Sequence, residues 1–159
     1  MSEFEISSAD PRAPDVARLL AAHLAFAREW SLPEDVHVLD ADQLVADGVF
    51  FFTARRSGQL VAVGALRHLD AEHAEIKSMH TAETTRGQGV GKAMLDHLVA
   101  TAGVRGCLRI SLETGLQEVF APARRLYKNC GFEVCQPFGD YQLSADSVCM
   151  TKNLTEGAH

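Results

Sequence analysis

The chain has 159 residues, 47% of them hydrophobic and 23% charged, the balance of a folded protein and the size of one domain rather than two. A domain of this length buries roughly 70% of its unfolded surface and needs no covalent or metal staple. The formal net charge of −6 argues against a general nucleic-acid binder, because a phosphate backbone calls for basic surface.

In chain order, Met1 to Ile6 has neither the basic flank nor the apolar run of a signal peptide. Phe4 to Ser7 reads as a first strand and Asp10-Pro11 as a turn. Val16, Leu19, Leu20, His23, Leu24 and Ala27 recur at helical spacing, and Ser31 to Asp35 ends that helix. Val36 to Leu44 reads as a loop and then a short helix capped by Asp40. Val49 to Ala54 and Leu60 to Leu66 form a hairpin across Arg55 to Gln59, with Gly58 in the turn. After a turn at Asp70-Ala71, Ala74 to Met79 adds a third strand.

Thr81 to Gln88 is a polar, glycine-bearing loop. Val90, Met94, Leu95, Leu98, Val99 and Ala102 make an apolar stripe on a helix, which Gly103 and Gly106 are expected to stop. Leu108 to Leu112 alternates as a strand. A helix from Pro122 to about Cys130 carries proline in its first turn and ends at Gly131, Phe132 opens another strand, and Val148 to Thr151 is the last. The order β-α-(α)-β-β-β-α-β-α-β-β predicts a single mixed α/β domain over residues 1–159.

The longest apolar stretch, around Val49 to Phe52, is far too short to span a bilayer; the expectation is a cytoplasmic protein with no membrane partner. Cys107, Cys130, Cys135 and Cys149 form no C-x-x-C pair and match no zinc spacing, so they are expected as reduced, small hydrophobic side chains. His68 and His73 flank a turn without carboxylate-histidine spacing. No metal is expected.

The strongest chemical signal is Arg86-Gly87-Gln88-Gly89-Val90-Gly91-Lys92, at a junction between strand and helix. The first N–H groups of a helix lack internal partners, and the helix dipole adds positive potential there. Glycines let a phosphate approach the main chain closely. Two phosphate motifs fail by counting. A P-loop ending at Gly91-Lys92 needs glycine where Arg86 stands and Ser or Thr where Ala93 stands. A dinucleotide fingerprint starting at Gly87 needs glycine where Lys92 stands.

Arg86, Gly89 and Gly91 match the R/Q-x-x-G-x-G/A pyrophosphate loop, and this segment resembles that of the GNAT superfamily of N-acetyltransferases. Glu75 to Thr81 looks like the family's central strand leading into the loop. Ala123 to Phe132 looks like its A-x-x-L-Y-x-x-x-G-F helix end. Pro33 to Asp40, Ser111 to Gly115 and Pro137 to Tyr141 resemble a bacterial subgroup often labelled indole-acetic-acid acetyltransferases. The resemblance implies a seven-stranded, mostly antiparallel sheet flanked by helices, acetyl-CoA as acyl donor, and a homodimer by family habit. Where many relatives carry asparagine seven residues before the helix tyrosine, this chain has Phe120.

Acetyl transfer to an amine requires a deprotonated nucleophile, donors for the developing oxyanion, and a proton or charge for the leaving thiolate. The resemblance implies main-chain donors from Gln88, Gly89, Val90, Gly91 and Lys92 to the pyrophosphate, with Arg86 and Gly87 in the same cofactor-binding loop. It implies pairing of the pantetheine arm with Met79 and Thr81 as an added strand, in a splay between the third strand and the Leu108 to Leu112 strand. Tyr127 is then the candidate proton donor to the sulfur, and Lys128 or Arg125 meets the 3′-phosphate. Glu75 is the candidate base, acting through a water. His37, His80 and Glu113 are candidates for the acceptor pocket. The expected acceptor is a small-molecule amine, with a protein lysine or N-terminus as runner-up. A non-catalytic acyl-CoA sensor stays open as a different class.

Overall fold

The computed structural model describes residues 4–154; Met1 to Glu3, part of the N-terminal segment read for a signal peptide, lie outside the described residues. Its strands are β1 (Glu5–Ser8), β2 (Val49–Arg56), β3 (Gln59–His68), β4 (His73–Thr81), β5 (Arg109–Gly115), β6 (Glu133–Cys135) and β7 (Ser147–Asn153). The helices are α1 (Pro14–Trp30), α2 (Ala41–Leu44), α3 (Val90–Val104) and α4 (Ala121–Asn129). The strands form one sheet in the order β1-β2-β3-β4-β5-β7-β6. Every neighbouring pair is antiparallel except β4 and β5, whose parallel pairing needs a crossover, supplied by α3.

The sheet is covered on both faces, which explains why Val61 to Leu66 in β3 is buried without interruption. On one face Val90, Met94, Leu95, Leu98 and Ala102 of α3 pack with Ala62, Leu66, Ile76, Ile110 and Met150. On the other, Val16 of α1 and Leu44 of α2 pack with Phe51, Val63 and Ala65. Each fully buried leucine in such a core contributes about 1.5–3 kcal/mol. Asp40 caps α2 through a reciprocal pair of bonds with Gln43. Gly103 lies inside α3 rather than stopping it; the chain leaves the helix after Val104 and turns at Gly106. One glycine in a last turn costs only about 1 kcal/mol, less than the stripe before it contributes.

Two departures from regular pairing open and line the space beside β4. First, β4 and β5 pair only over His73, Ala74 and Glu75 against Arg109, Ile110 and Ser111. Beyond that point β4 stays with β3 as far as Thr81, and β5 stays with β7 as far as Gly115, so a gap opens between them. Second, β3 pairs Val63 with His80 and Ala65 with Lys77, which sets three steps of β4 against two of β3. The extra residue makes a bulge, and Ser78 there has φ +53°. The bulge faces Gly64, where a Cβ would stand 2.9 Å from Met94 Cγ; the missing side chain lets α3 press directly on the sheet. Among the described residues no helix is long and apolar enough to cross a membrane.

Candidate active site

The gap between β4 and β5 opens into a cavity of about 580 Å³. One end is the loop into α3. Gly89 is the N-cap of α3 with φ +88°, Gly87 has φ +78°, and among the described residues no side chain caps the helix. A Cβ at either glycine would meet nothing within 4 Å. The helix therefore starts with uncapped N–H groups beside open space, a cradle that fits a pyrophosphate.

Arg86 lines the cavity, donates through Nε to the Thr81 carbonyl at 3.4 Å, and lies over the Phe26 ring at 5.7 Å. Lys92 lines it too, with Nζ 2.6 Å from Asp96, and that carboxylate raises the lysine above its ordinary value. Gly87, Gly89, Gly91, Met79 and Thr81 also line this end. Three residues named from the sequence do not. The Gln88 side chain accepts from Arg56 at 2.7 Å and donates to the Thr84 carbonyl. The Val90 side chain is in the core, so only its main chain is available to a ligand, and Lys128 is exposed on the last turn of α4.

Tyr127 lines the middle of the cavity from α4 and packs against Phe132. Burial pushes its phenol up to about 12, so it holds its proton near neutrality and is available as a donor. Phe120, in the turn before α4, stacks edge-on against Phe26 with centroids 5.5 Å apart. Its ring lies where a Cβ on Gly115 would come within 2.3 Å. Here the aromatic side chain ties α1 to the α4 entrance.

The far end lies on the α1 face of the sheet. Glu75 and Lys77 are both buried, 1% and 8% exposed, with Lys77 Nζ 3.6 Å from Glu75 Oε2. Tyr141, from the segment between β6 and β7, donates its phenol proton to Glu75 Oε2. Lys77 Nζ donates to the Tyr141 oxygen at 2.8 Å and to the His37 carbonyl at 2.6 Å. Burial lowers the Lys77 ammonium from its ordinary value. Burial, with the lysine charge beside it, does the same to His37, and burial raises the Glu113 carboxyl. His37, Lys77, Glu113 and Tyr141 line the cavity, whereas Glu75 does not. Ser78 Oγ is buried at the bulge without a hydrogen-bond partner among the described residues.

Lys77 and His23 are the residues that sequence reasoning missed. Lys77 carried a usable signal, since Glu75 and Lys77 stand two apart on a strand and must share a face. His23 had none; its spacing marks it only as part of the α1 stripe. It faces His80 with the two Nδ1 atoms 3.1 Å apart, and both line the cavity. One ring must donate and the other accept, so an added proton would set two N–H groups head to head. Burial, with Lys77 nearby for His23, and with His23 and Arg86 nearby for His80, lowers both to about 4. The unfolded chain takes up these protons near pH 6.5, before the folded one does. Stability is therefore full above that value and lost as pH falls toward 4. A loss of about 1 to 2 kcal/mol per ring is expected between about pH 7.5 and 5. Urea unfolding across that range checks it, and His23→Asn should flatten the curve.

All four cysteines are free thiols, with Cys107 and Cys149 buried. Among the described residues no group of three or more His, Cys, Asp or Glu side chains is placed to hold a metal ion.

Comparison with known proteins gives one direction. The profile of the Acetyltransferase (GNAT) family matches residues 16–132. The uncharacterized N-acetyltransferase YsnE of Bacillus subtilis is 42% identical over 139 residues, covering 87% of this chain and 92% of that protein. A protein of Azospirillum brasilense named IAA acetyltransferase is 31% identical over 156 residues, covering 97% of this chain and 100% of its own. A GNAT family acetyltransferase of Elizabethkingia anophelis, solved with acetyl-CoA bound, superposes with a TM-score of 0.72 at 18% identity, covering 97% of this chain and 100% of that one.

Proposed function

The chain belongs to the acetyltransferase (GNAT) family of acetyl-CoA-dependent acyltransferases, and from that premise we propose that it acetylates the amine of a small molecule by direct attack within a ternary complex. The observation that carries this reading is the uncapped start of α3 beside a cavity whose far end is lined by Lys77 and Tyr141, both partners of the buried Glu75 carboxylate. In this reading the main-chain N–H groups of Gly87 to Lys92 hold the pyrophosphate, with Arg86 as the nearby cation. The open edge of β4 at Met79 and Thr81 takes the pantetheine arm as an added strand. Bound acetyl-CoA supplies the acetyl thioester. Tyr127 gives its proton to the departing sulfur, and Glu75 is the final proton acceptor for the amine. Lys128 is exposed at the α4 end and meets the 3′-phosphate. His37, His80 and Glu113 form the acceptor wall. Indole-acetic acid has no aliphatic amine and is not the acceptor proposed.

The test has two stages. Coenzyme A at about 100 times its dissociation constant should stabilise the protein by about 2.7 kcal/mol, seen as a higher melting temperature. Thiol release from acetyl-CoA is then followed with phenethylamine, spermidine, L-lysine and an alanine-initiated peptide, which separates small amines from protein acceptors. Tyr127→Phe should lower kcat about 100-fold with little change in the coenzyme A melt. Unchanged turnover would remove the proton-donor role. Binding without acetylation of any acceptor would favour an acyl-CoA sensor.

A further inference from the structure

Glu75 is 1% exposed and does not reach the cavity wall, but the groups bonded to it do. Tyr141 lines the cavity and donates its proton to Glu75 Oε2, while its oxygen accepts from Lys77 Nζ at 2.8 Å. A phenol oxygen has one proton and two lone pairs. The proton and one lone pair are committed to Glu75 and Lys77. One lone pair is left for a donor in the cavity.

We infer that Tyr141 is the relay that carries the acceptor's proton to Glu75, in place of the water that the sequence alone suggested. The inference rests on the acetyl-transfer reading. The step balances as two coupled transfers. An N–H bond of the acceptor ammonium breaks as its proton passes to the Tyr141 oxygen, and the Tyr141 O–H bond breaks as that proton passes to Glu75 Oε2. The amine gains a lone pair, the phenol is restored neutral, and the carboxylate becomes the acid. Tyr141 carries no charge at any point. That matters because burial, with Glu75 and Glu113 nearby, raises its phenol far above the ordinary range. A concerted relay needs no tyrosinate, so that rise does not oppose it.

The charged and titratable groups around this pair come from every packed element. They are His23 from α1, Arg67 from β3, His73 and Lys77 from β4, and Glu113 from β5. Cys149 comes from β7, and Asp35 and His37 come from the segment after α1. Lys77 holds the geometry. By binding both Tyr141 and the His37 carbonyl it fixes the phenol oxygen at the cavity wall.

The experiment follows acetyl transfer to phenethylamine, spermidine and L-lysine from about pH 6 to about pH 10. It uses wild type, Tyr141→Phe, Glu75→Gln and the double variant. Without the relay the amine must arrive already neutral, and the neutral fraction of an amine with pKa near ~10.4 rises tenfold per pH unit. Tyr141→Phe should lose about 100-fold in kcat/KM at pH 7, with the deficit closing by about tenfold per unit toward alkaline pH. Glu75→Gln should show the same slope, and the double variant should be no worse than either single one, because the two groups act as a unit. A deficit that is constant with pH, a change in KM alone, or additive losses would overturn the relay and leave Tyr141 as part of the pocket wall. If Tyr141→Phe fails to melt cooperatively, Tyr141→Leu is read over the same pH range, since Glu75→Gln gives the same slope whether a phenol or a water carries the proton. A wild type that binds coenzyme A but acetylates none of the amines removes the transfer reading itself, and the relay with it.

Discussion

Replacing Gly89 with valine should abolish the thermal shift given by coenzyme A, at concentrations that stabilise the wild type by about 2.7 kcal/mol. Gly89 sits at φ +88° as the N-cap of α3. A β-branched residue in the left-handed region is a genuine outlier, so the loop would swing to another backbone conformation. The N–H groups aimed into the cradle would swing with it. The added side chain would also stand in open space, where nothing protein-borne lies within 4 Å of the new Cβ and where the proposed function puts the pyrophosphate. Little of this is a folding defect: without ligand the variant should lose only about 1–2 kcal/mol, the usual cost of a left-handed non-glycine residue. Calorimetric titration with coenzyme A, alongside urea unfolding of the free protein, separates the two effects. Binding at wild-type strength would mean that the cradle does not hold the diphosphate.

Replacing Lys77 with methionine should be the most destabilising change in the acceptor region. It leaves the Glu75 carboxylate buried with its cation removed, a situation that costs about 3–5 kcal/mol, or roughly 6 to 20 °C in melting temperature for a domain of this size. The pair is weak evidence for stability as such, since apolar replacements of both partners are often neutral. Lys77→Met combined with Glu75→Gln should therefore recover most of the loss, because the amide can still accept from Tyr141 without leaving a charge unpaired. Urea unfolding of both single variants and the double one measures this. Additive losses would show that Lys77 contributes through its alkyl packing rather than through the charge.

What was legible in the chain divides by range. The elements could be read because their signals are local: the α3 stripe from Val90 to Ala102, the Gly58 hairpin, and Asp40 at the start of α2. The uncapped entrance of α3 could be located for the same reason, as a helix start shows itself in the few residues that form it. At the far end of the cavity His37, His80 and Glu113 could be named, but the bonds that join its groups could not be read. Tyr141 bonds to Lys77 across 64 residues and His23 meets His80 across 57, and no spacing rule links positions so far apart. Gly103 misled because a glycine near a helix end reads as a stop, whereas the stripe before it carries the helix to the end of its turn. The bulge at Ser78 left no mark in the residue pattern. It shows only in the register with β3.

That kink also governs which side chains face the acceptor. A strand alternates strictly, so the same residues drawn straight would turn Glu75, Lys77 and Met79 to one side. The surplus position resets the parity, and it is His80, opposite Val63, that joins Lys77, opposite Ala65. Excising Ser78 alone would keep that arrangement, because Lys77 and His80 would then stand two apart on an ordinary strand. Straightening the strand at Ser78 without removing a residue would swap the sets, bringing the Met79 thioether where an imidazole now stands and turning His80 away from His23. Frame, as much as residue identity, would then decide what the acceptor meets.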